Sequence, residues 1–277
     1  MDTFTGKLAL ITGGTSGIGY ALAEKLVQRG ADVAILARHA QMLESSAKSL
    51  ARHKINDSQK IMTVQADVTQ REELGLRLDE FSSQNGIPDI VINSAGVAHP
   101  GTFTTLKPEI FDWMMDVNYF GTVNVLKKFV SPMQKRRSGI IVNISSVAGF
   151  IGIYGYTAYG ASKFAVSGFS DALRSELKPY GIQVSVVFPP DTQTPQLEYE
   201  SQFKPFITKE LSGSAKLMSS DQVAEIILNQ VARKKYIIIP GSEGKLLYLL
   251  HNLLGSALYP VMDLFIKMAI KKLKLGS

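Results

Sequence analysis

Tyr159 and Lys163 stand four residues apart in the run Tyr156-Thr-Ala-Tyr159-Gly-Ala-Ser-Lys163. On a helix, that spacing places both side chains on one face. An ammonium beside a phenol favours the phenolate and lowers the tyrosine pKa. A tyrosine tuned in this way can give or take a proton near neutral pH. Ser146 lies thirteen residues before Tyr159 and offers a second hydroxyl to the same carbonyl oxygen, with Ser145 as its competitor. The chemistry these groups suit is the interconversion of a carbonyl and an alcohol.

Such a centre needs a hydride source held beside it. Thr12-Gly13-Gly14-Thr15-Ser16-Gly17-Ile18-Gly19 falls between an apolar strand and a helical pattern near the N-terminus. Glycines there permit a tight turn and let a pyrophosphate approach backbone N–H groups at a helix N-terminus. A carboxylate about 20 residues further on would bind the ribose 2′-hydroxyl of NAD. The second strand ends instead in Ala37-Arg38. Arg38 suits the 2′-phosphate of NADP(H) by charge and by planar hydrogen bonding, and Thr15 and Ser16 can add hydroxyl contacts. Asp67-Val68 is placed to meet the adenine, and Asn93-Ser94-Ala95-Gly96 to run beside the cofactor. The plainer role of both segments is turn and helix-cap chemistry.

The elements that must position these groups alternate regularly. Apolar strands are expected at residues 7–12, 32–37, 61–65, 89–93, 140–144, 183–188 and 236–239. Helices are expected at 18–29, 40–53, 71–83, 108–134, 158–178 and 220–232, the last capped by Ser219 or Ser220. Strands apolar on both faces and separated by helices predict an α/β fold with a seven-stranded parallel sheet covered on both sides. Residues 1–244 read as one catalytic domain and 245–277 as an apolar, basic helical tail.

Composition removes several other functions. The 277 residues include no cysteine, which excludes disulfides, thiolate catalysis and cysteine-ligated metals. The four histidines are scattered and form no metal pattern. Of the net charge of +6, the tail carries +4 through five Lys and one Asp. The body is therefore not expected to bind nucleic acid. The start of the chain has no apolar signal region, so a cytosolic or cytosol-facing body is expected.

Taken together, these residues resemble the short-chain dehydrogenase/reductase family. Thr12-Gly13-Gly14-x-x-Gly17-x-Gly19, Asn93-x-Ala95-Gly96, Asn118, Ser146, Tyr159-x-x-x-Lys163 and Pro189 onward follow the family's order and spacing over about residues 5–240. The resemblance implies a doubly wound Rossmann fold, hydride transfer at the nicotinamide C4 and a homodimer or homotetramer. It implies that Tyr159 is the acid in reduction and that Lys163 tunes Tyr159 and holds the nicotinamide ribose. Ser146 would bind the carbonyl, and Asn118 would hold a water that links Lys163 to solvent.

A finer resemblance lies in Phe188-Pro189-Pro190-Asp191-Thr192-Gln193-Thr194-Pro195. Pro190 stands where most of the family has glycine, which removes backbone freedom and an N–H donor. The run is similar to that of 3-ketodihydrosphingosine reductases, as is Glu176-Leu-Lys178-Pro179-Tyr180 with Val184-Ser185-Val186-Val187. By this resemblance Pro189, Thr194 and, more weakly, Thr192 face the nicotinamide. The substrate implied is a hydrophobic ketone or alcohol. Steroid, retinol and fatty-acyl ketones are alternatives of the same chemistry, and a non-catalytic NADP-binding scaffold is one of a different class.

Residues 191–218 form a long connection expected to close over substrate, with Leu197, Tyr199, Phe203, Phe206 and Leu211 as its apolar lining. Residues 149–154 are expected on the opposite wall. Residues 246–266 are mostly apolar but interrupted by polar residues and Pro260. Beyond Pro260 the residues Asp263, Lys267, Lys271 and Lys274 make a basic stripe beside Leu264, Phe265, Met268 and Ile270. That pattern predicts a helix lying on an anionic lipid surface; a membrane span and a hairpin packed over the site are the alternatives. Peripheral association with a cytosol-facing membrane follows, that of the endoplasmic reticulum in a eukaryote.

Overall fold

The computed structural model describes residues 3–212 and 217–275. Its central sheet consists of β1 (Leu8–Thr12), β2 (Asp32–Ala37), β3 (Ile61–Gln65), β4 (Ile90–Asn93), β5 (Gly139–Ile144), β6 (Ile182–Val187) and β9 (Ile237–Ile238). All pairings are parallel, in the order β3-β2-β1-β4-β5-β6-β9. This is the doubly wound Rossmann arrangement expected, and the order reverses between β1 and β4.

Strand alternation explains the two cores. Ile11, Ile35 and Ile92 face α1 (Gly17–Gln28), α2 (Ala40–Ala51) and α9 (Ser220–Ala232). Leu10, Leu36, Val91 and Ile141 face α3 (Arg71–Asn85), α5 (Gly121–Arg136) and α6 (Thr157–Leu177). Each fully buried Leu or Ile contributes about 1.5–3 kcal/mol, so both faces hold the strand ends rigid. Ser219 caps α9 in a reciprocal capping box with Gln222.

Three segments differ from expectation. Residues 108–134 are not one helix. They divide into α4 (Pro108–Met114), a π-helical segment Met115–Phe120 and α5. The Thr122 hydroxyl donates to the Asn118 carbonyl at 2.9 Å, and Gly121 packs against Val68 so closely that a Cβ would sit 2.6 Å from its methyl. Wide π turns of this kind often mark functional positions.

The described residues of the connection after β6 form regular elements. It contains β7 (Thr192–Gln193), α7 (Pro195–Phe203), α8 (Phe206–Ser212) and β8 (Met218–Ser219), and β7 pairs with β8 as a clasp. The tail forms α10 (Ser242–Leu254) and α11 (Tyr259–Leu275), joined by a tight turn over Gly255–Leu258. The chain bends at Gly255, which has φ +51°, rather than at Pro260. Pro260 occupies the start of α11, where a missing N–H costs nothing.

Candidate active site

Ser146 follows the carboxyl end of β5 and caps the short turn Val147–Gly149, its Oγ accepting from the Ala148 N–H at 3.2 Å. Tyr159 and Lys163 project from the first turns of α6, 9% and 5% exposed. The Lys163 ammonium donates to the Ile144 carbonyl at 3.0 Å and lies 5.7 Å from the centre of the Tyr159 ring. Ser145 points elsewhere: its hydroxyl donates to the Lys163 carbonyl at 2.9 Å and meets the Ser167 hydroxyl at 3.1 Å. Of the two serines, only Ser146 approaches the phenol.

The electrostatics depart from expectation. Burial pushes the Tyr159 phenol up, Glu200 adds to this, and the nearby Ser146 hydroxyl opposes it only in part. The depression expected from Lys163 is not seen, because removing a phenolate from water costs more than the hydrogen bonds from Ser146 and Gln196 return. Burial also lowers Lys163, to about 8, against the pull of Glu200. Tyr159 is therefore held as a neutral acid.

These groups line a cavity of about 830 Å³ that also includes Gly13, Ser16, Gly17, Ile18 and Gly19. Gly13 has φ +66°, and a Cβ there would sit 2.9 Å from Ala95 Cα. A Cβ on Gly19 would sit 2.3 Å from the Gly13 carbonyl. The turn is thus packed backbone on backbone, at the N-terminus of α1. That cradle fits the pyrophosphate of a dinucleotide. Ala95 and Gly96 line the cavity, as do Pro189, Thr192 and Thr194. Thr194 caps α7, and its side chain reaches 3.0 Å from the space a Cβ on Gly17 would take.

Other expected contacts lie outside this cavity. Thr15 does not line it; its carbonyl accepts from Ser46. Asn93 is buried inside the sheet, donating to Asn143 Oδ1 at 2.9 Å, so its side chain is a sheet-internal bond. Arg38 is half-exposed, 3.8 Å from Asp67, at the edge of β2. Asp67 accepts from the Thr69 N–H and hydroxyl, and Val68 is buried against Gly121. The Asn118 side chain bridges to Val97 through N–H and carbonyl and donates to Ser162 at 2.8 Å. It braces the segment beside Gly96 and Lys163 and does not itself line the cavity.

Sequence patterns missed Tyr156, Gln196 and Glu200. The Tyr156 hydroxyl donates to Glu200 Oε2 at 2.7 Å, and Gln196 Nε2 donates to Glu200 Oε1 at 2.9 Å. Glu200 is only 7% exposed, whereas Tyr199 and Phe203 of the same helix are 40% and 43% exposed and cluster with His99. The expected apolar lining is thus corrected. Leu197 and Leu211 face the cavity, while Tyr199, Phe203 and Phe206 face outward.

Residues 7–204 match the short chain dehydrogenase family model. The chain belongs to that family, whose members bind a nicotinamide cofactor. It is 35% identical over 243 residues to a 3-ketodihydrosphingosine reductase of Bos taurus, covering 87% of this chain and 73% of the relative. It is 36% identical over 247 residues to a 3-ketodihydrosphingosine reductase of Dictyostelium discoideum, covering 84% and 74%. The fold also matches a short-chain dehydrogenase from Sphingobium yanoikuyae in complex with NADPH, with TM-score 0.76, 27% identity and coverage of 93% and 95%.

Proposed function

We propose that this protein is an NADPH-dependent reductase of a long-chain lipid ketone, with 3-ketodihydrosphingosine as substrate and dihydrosphingosine as product. The observation that carries the reading is continuity. The glycine turn, Ser146, Tyr159 and Lys163 line one cavity with Leu247, Leu250, Leu258, Met262 and Phe265 of the tail. A polar reacting end and an apolar far end suit a ketone on an alkyl chain. The similarity to two 3-ketodihydrosphingosine reductases supports the same substrate.

Gly13, Gly17, Gly19 and Ser16 would hold the pyrophosphate, and Arg38 the 2′-phosphate. The bound cofactor supplies hydride to the ketone carbon. The Ser146 hydroxyl donates a hydrogen bond to the ketone oxygen and fixes its position. As the C=O π electrons move onto oxygen, the Tyr159 hydroxyl donates its proton there. The Lys163 ammonium stabilises the phenolate left behind, which regains a proton from solvent. The raised phenol of the protein alone suits this direction, since a neutral acid stands ready.

The tail fits a lipid surface. Leu246, Leu249 and Leu253 of α10 and Leu264, Phe265 and Met268 of α11 are all exposed. Residues Ser242–Leu273 are long and apolar enough to cross a membrane by length and composition. The bend at Gly255 divides them into helices of 13 and 17 residues, each shorter than the roughly 20 needed to span. We therefore favour a pair of helices lying on the membrane, with Lys267 and Lys271 toward anionic headgroups. The Lys274 side chain lies outside the described residues. Exposed Phe120 and Phe164 leave a surface for the dimer or tetramer of the family, which light scattering measures.

The direct assay is NADPH oxidation with 3-ketodihydrosphingosine in mixed micelles, beside a steroid ketone and a short acyl ketone. Turnover of the sphingoid ketone in preference to the other two supports the reading. Preference for either of the others retains the chemistry and rejects the substrate.

A further inference from the structure

Glu200 is a buried carboxylate without a matching cation. Four carboxylates line the catalytic cavity, Asp191, Glu200, Glu210 and Glu243; Glu210 is paired with Lys272 and Glu243 is exposed to solvent. Asp191 is matched by the Lys204 ammonium at 2.9 Å, and that lysine side chain is itself buried. Lys163 is turned to the Ile144 carbonyl. Among the described residues no cation lies within ion-pair distance of Glu200. Its two oxygens each accept one neutral donor, Tyr156 and Gln196, which leaves further lone pairs on both. Burial raises its carboxyl above the usual range, and Tyr156, Gln196 and the charge of Lys204, which is itself paired with Asp191, offset this only in part, so a cation arriving at Glu200 completes the compensation.

Glu200 also lies beside the reacting groups. Its charge acts on both Tyr159 and Lys163, and Gln196 touches the Tyr159 phenol and Glu200 alike. A ligand whose carbonyl oxygen meets Tyr159 therefore lies beside Gln196 and Glu200, within reach of a substituent next to the carbonyl. In 3-ketodihydrosphingosine that neighbouring carbon carries a primary ammonium.

We infer that Glu200 is the ammonium-binding residue of the active site and selects ketones bearing a primary amine on the carbon next to the carbonyl. This rests on the sphingoid-ketone reading and adds a reason for it. A steroid or acyl ketone brings no cation and leaves the buried carboxylate unmatched. The ammonium donates a charge-assisted hydrogen bond to the carboxylate, while Tyr156 and Gln196 hold the carboxylate in place.

The test compares wild type and Glu200→Gln on two substrates. One is 3-ketodihydrosphingosine, and the other is the same ketone with hydrogen in place of the amine. Wild type is expected to prefer the amino ketone. The substitution should lower kcat/KM for the amino ketone about 10- to 100-fold, mainly through KM, and change the amine-free ketone less than about threefold. An equal loss on both ketones makes Glu200 a brace for the lid and overturns the inference, as does no loss on either. Wild-type turnover of the amine-free ketone alone overturns it while keeping the reductase; turnover of neither overturns the substrate reading and the inference together. Should Glu200→Gln fold poorly, wild type supplies a second measurement on the amine-free ketone. A long-chain primary amine should inhibit that turnover at least about tenfold more strongly than the alcohol of equal length. Equal inhibition overturns the inference.

Discussion

The floor and the lid of the cavity are built by different rules. The floor comes from strand ends and the first turns of α6, where Ser146, Tyr159 and Lys163 are fixed by backbone contacts on a doubly packed sheet. The lid comes from α7 and α8, clasped by two-residue strands and carrying exposed aromatic residues. Rigid placement suits proton transfer, which depends on geometry held to fractions of an ångström. A lid on short helices suits recognition, where a segment must admit and release a bulky lipid. On this account, changes to the floor act on kcat and changes to the lid act on KM.

The largest effect should follow Tyr159→Phe. Loss of the proton donor is expected to lower kcat by about a thousandfold, with NADPH affinity within about twofold by fluorescence titration. A rise in KM with kcat unchanged would erase the division between floor and lid.

Arg38→Ala tests the cofactor end. Removing the proposed partner of the 2′-phosphate should weaken NADPH about 10- to 100-fold and leave NADH little changed. Isothermal titration with both nucleotides measures it. Equal weakening of the two would make Arg38 a structural partner of Asp67 instead.

The pH profile sharpens the role of Lys163. Its ammonium is present below about 8 and lost above. The kcat/KM for ketone reduction should therefore fall as pH rises through about 8, approaching tenfold per unit. Tyr159, pushed up by burial, remains protonated over that range and does not produce the limb. In Lys163→Arg the limb should vanish, because a guanidinium stays charged.

The smallest effect belongs to the lid cap. Thr194→Ala removes the acceptor for the Leu197 N–H and should cost α7 about 1 kcal/mol. The expected result is a several-fold rise in KM for the lipid ketone at unchanged kcat. Thr194→Ser should restore it.

The same contrast explains what the sequence disclosed. The floor was legible because its logic is local: four-residue spacing on one helix, glycines between a strand and a helix, and apolar strands with period-two packing. All seven strands were placed within a residue at either end; β9 is trimmed at both ends because only Ile237 and Ile238 pair with β6. The structure also separates the two serines: the Ser145 hydroxyl is committed to the Lys163 carbonyl, and the Ser146 hydroxyl approaches the Tyr159 phenol.

The lid was not legible because burial there reverses hydropathy. Tyr199 and Phe203 face outward while Glu200 is buried. That inversion depends on Tyr156, 44 residues away in the chain, meeting Glu200 from another element, with Gln196 one turn back on the same helix. Likewise, Asn93 carries a motif position but spends its side chain on Asn143 within the sheet. The π turn at Asn118 depends on Gly121 closing against Val68, a contact between distant segments that no periodicity announces.

The central claim is that this cavity reduces a sphingoid ketone with Tyr159 as its acid. Single turnover with NADPH deuterated at the transferable nicotinamide position, followed by mass spectrometry of the lipid, tests it most directly. The account predicts dihydrosphingosine carrying one deuterium on the former ketone carbon from wild type, and almost none in the same time from Tyr159→Phe. NADPH binding without labelled product from wild type, or equal labelling by both proteins, would contradict it.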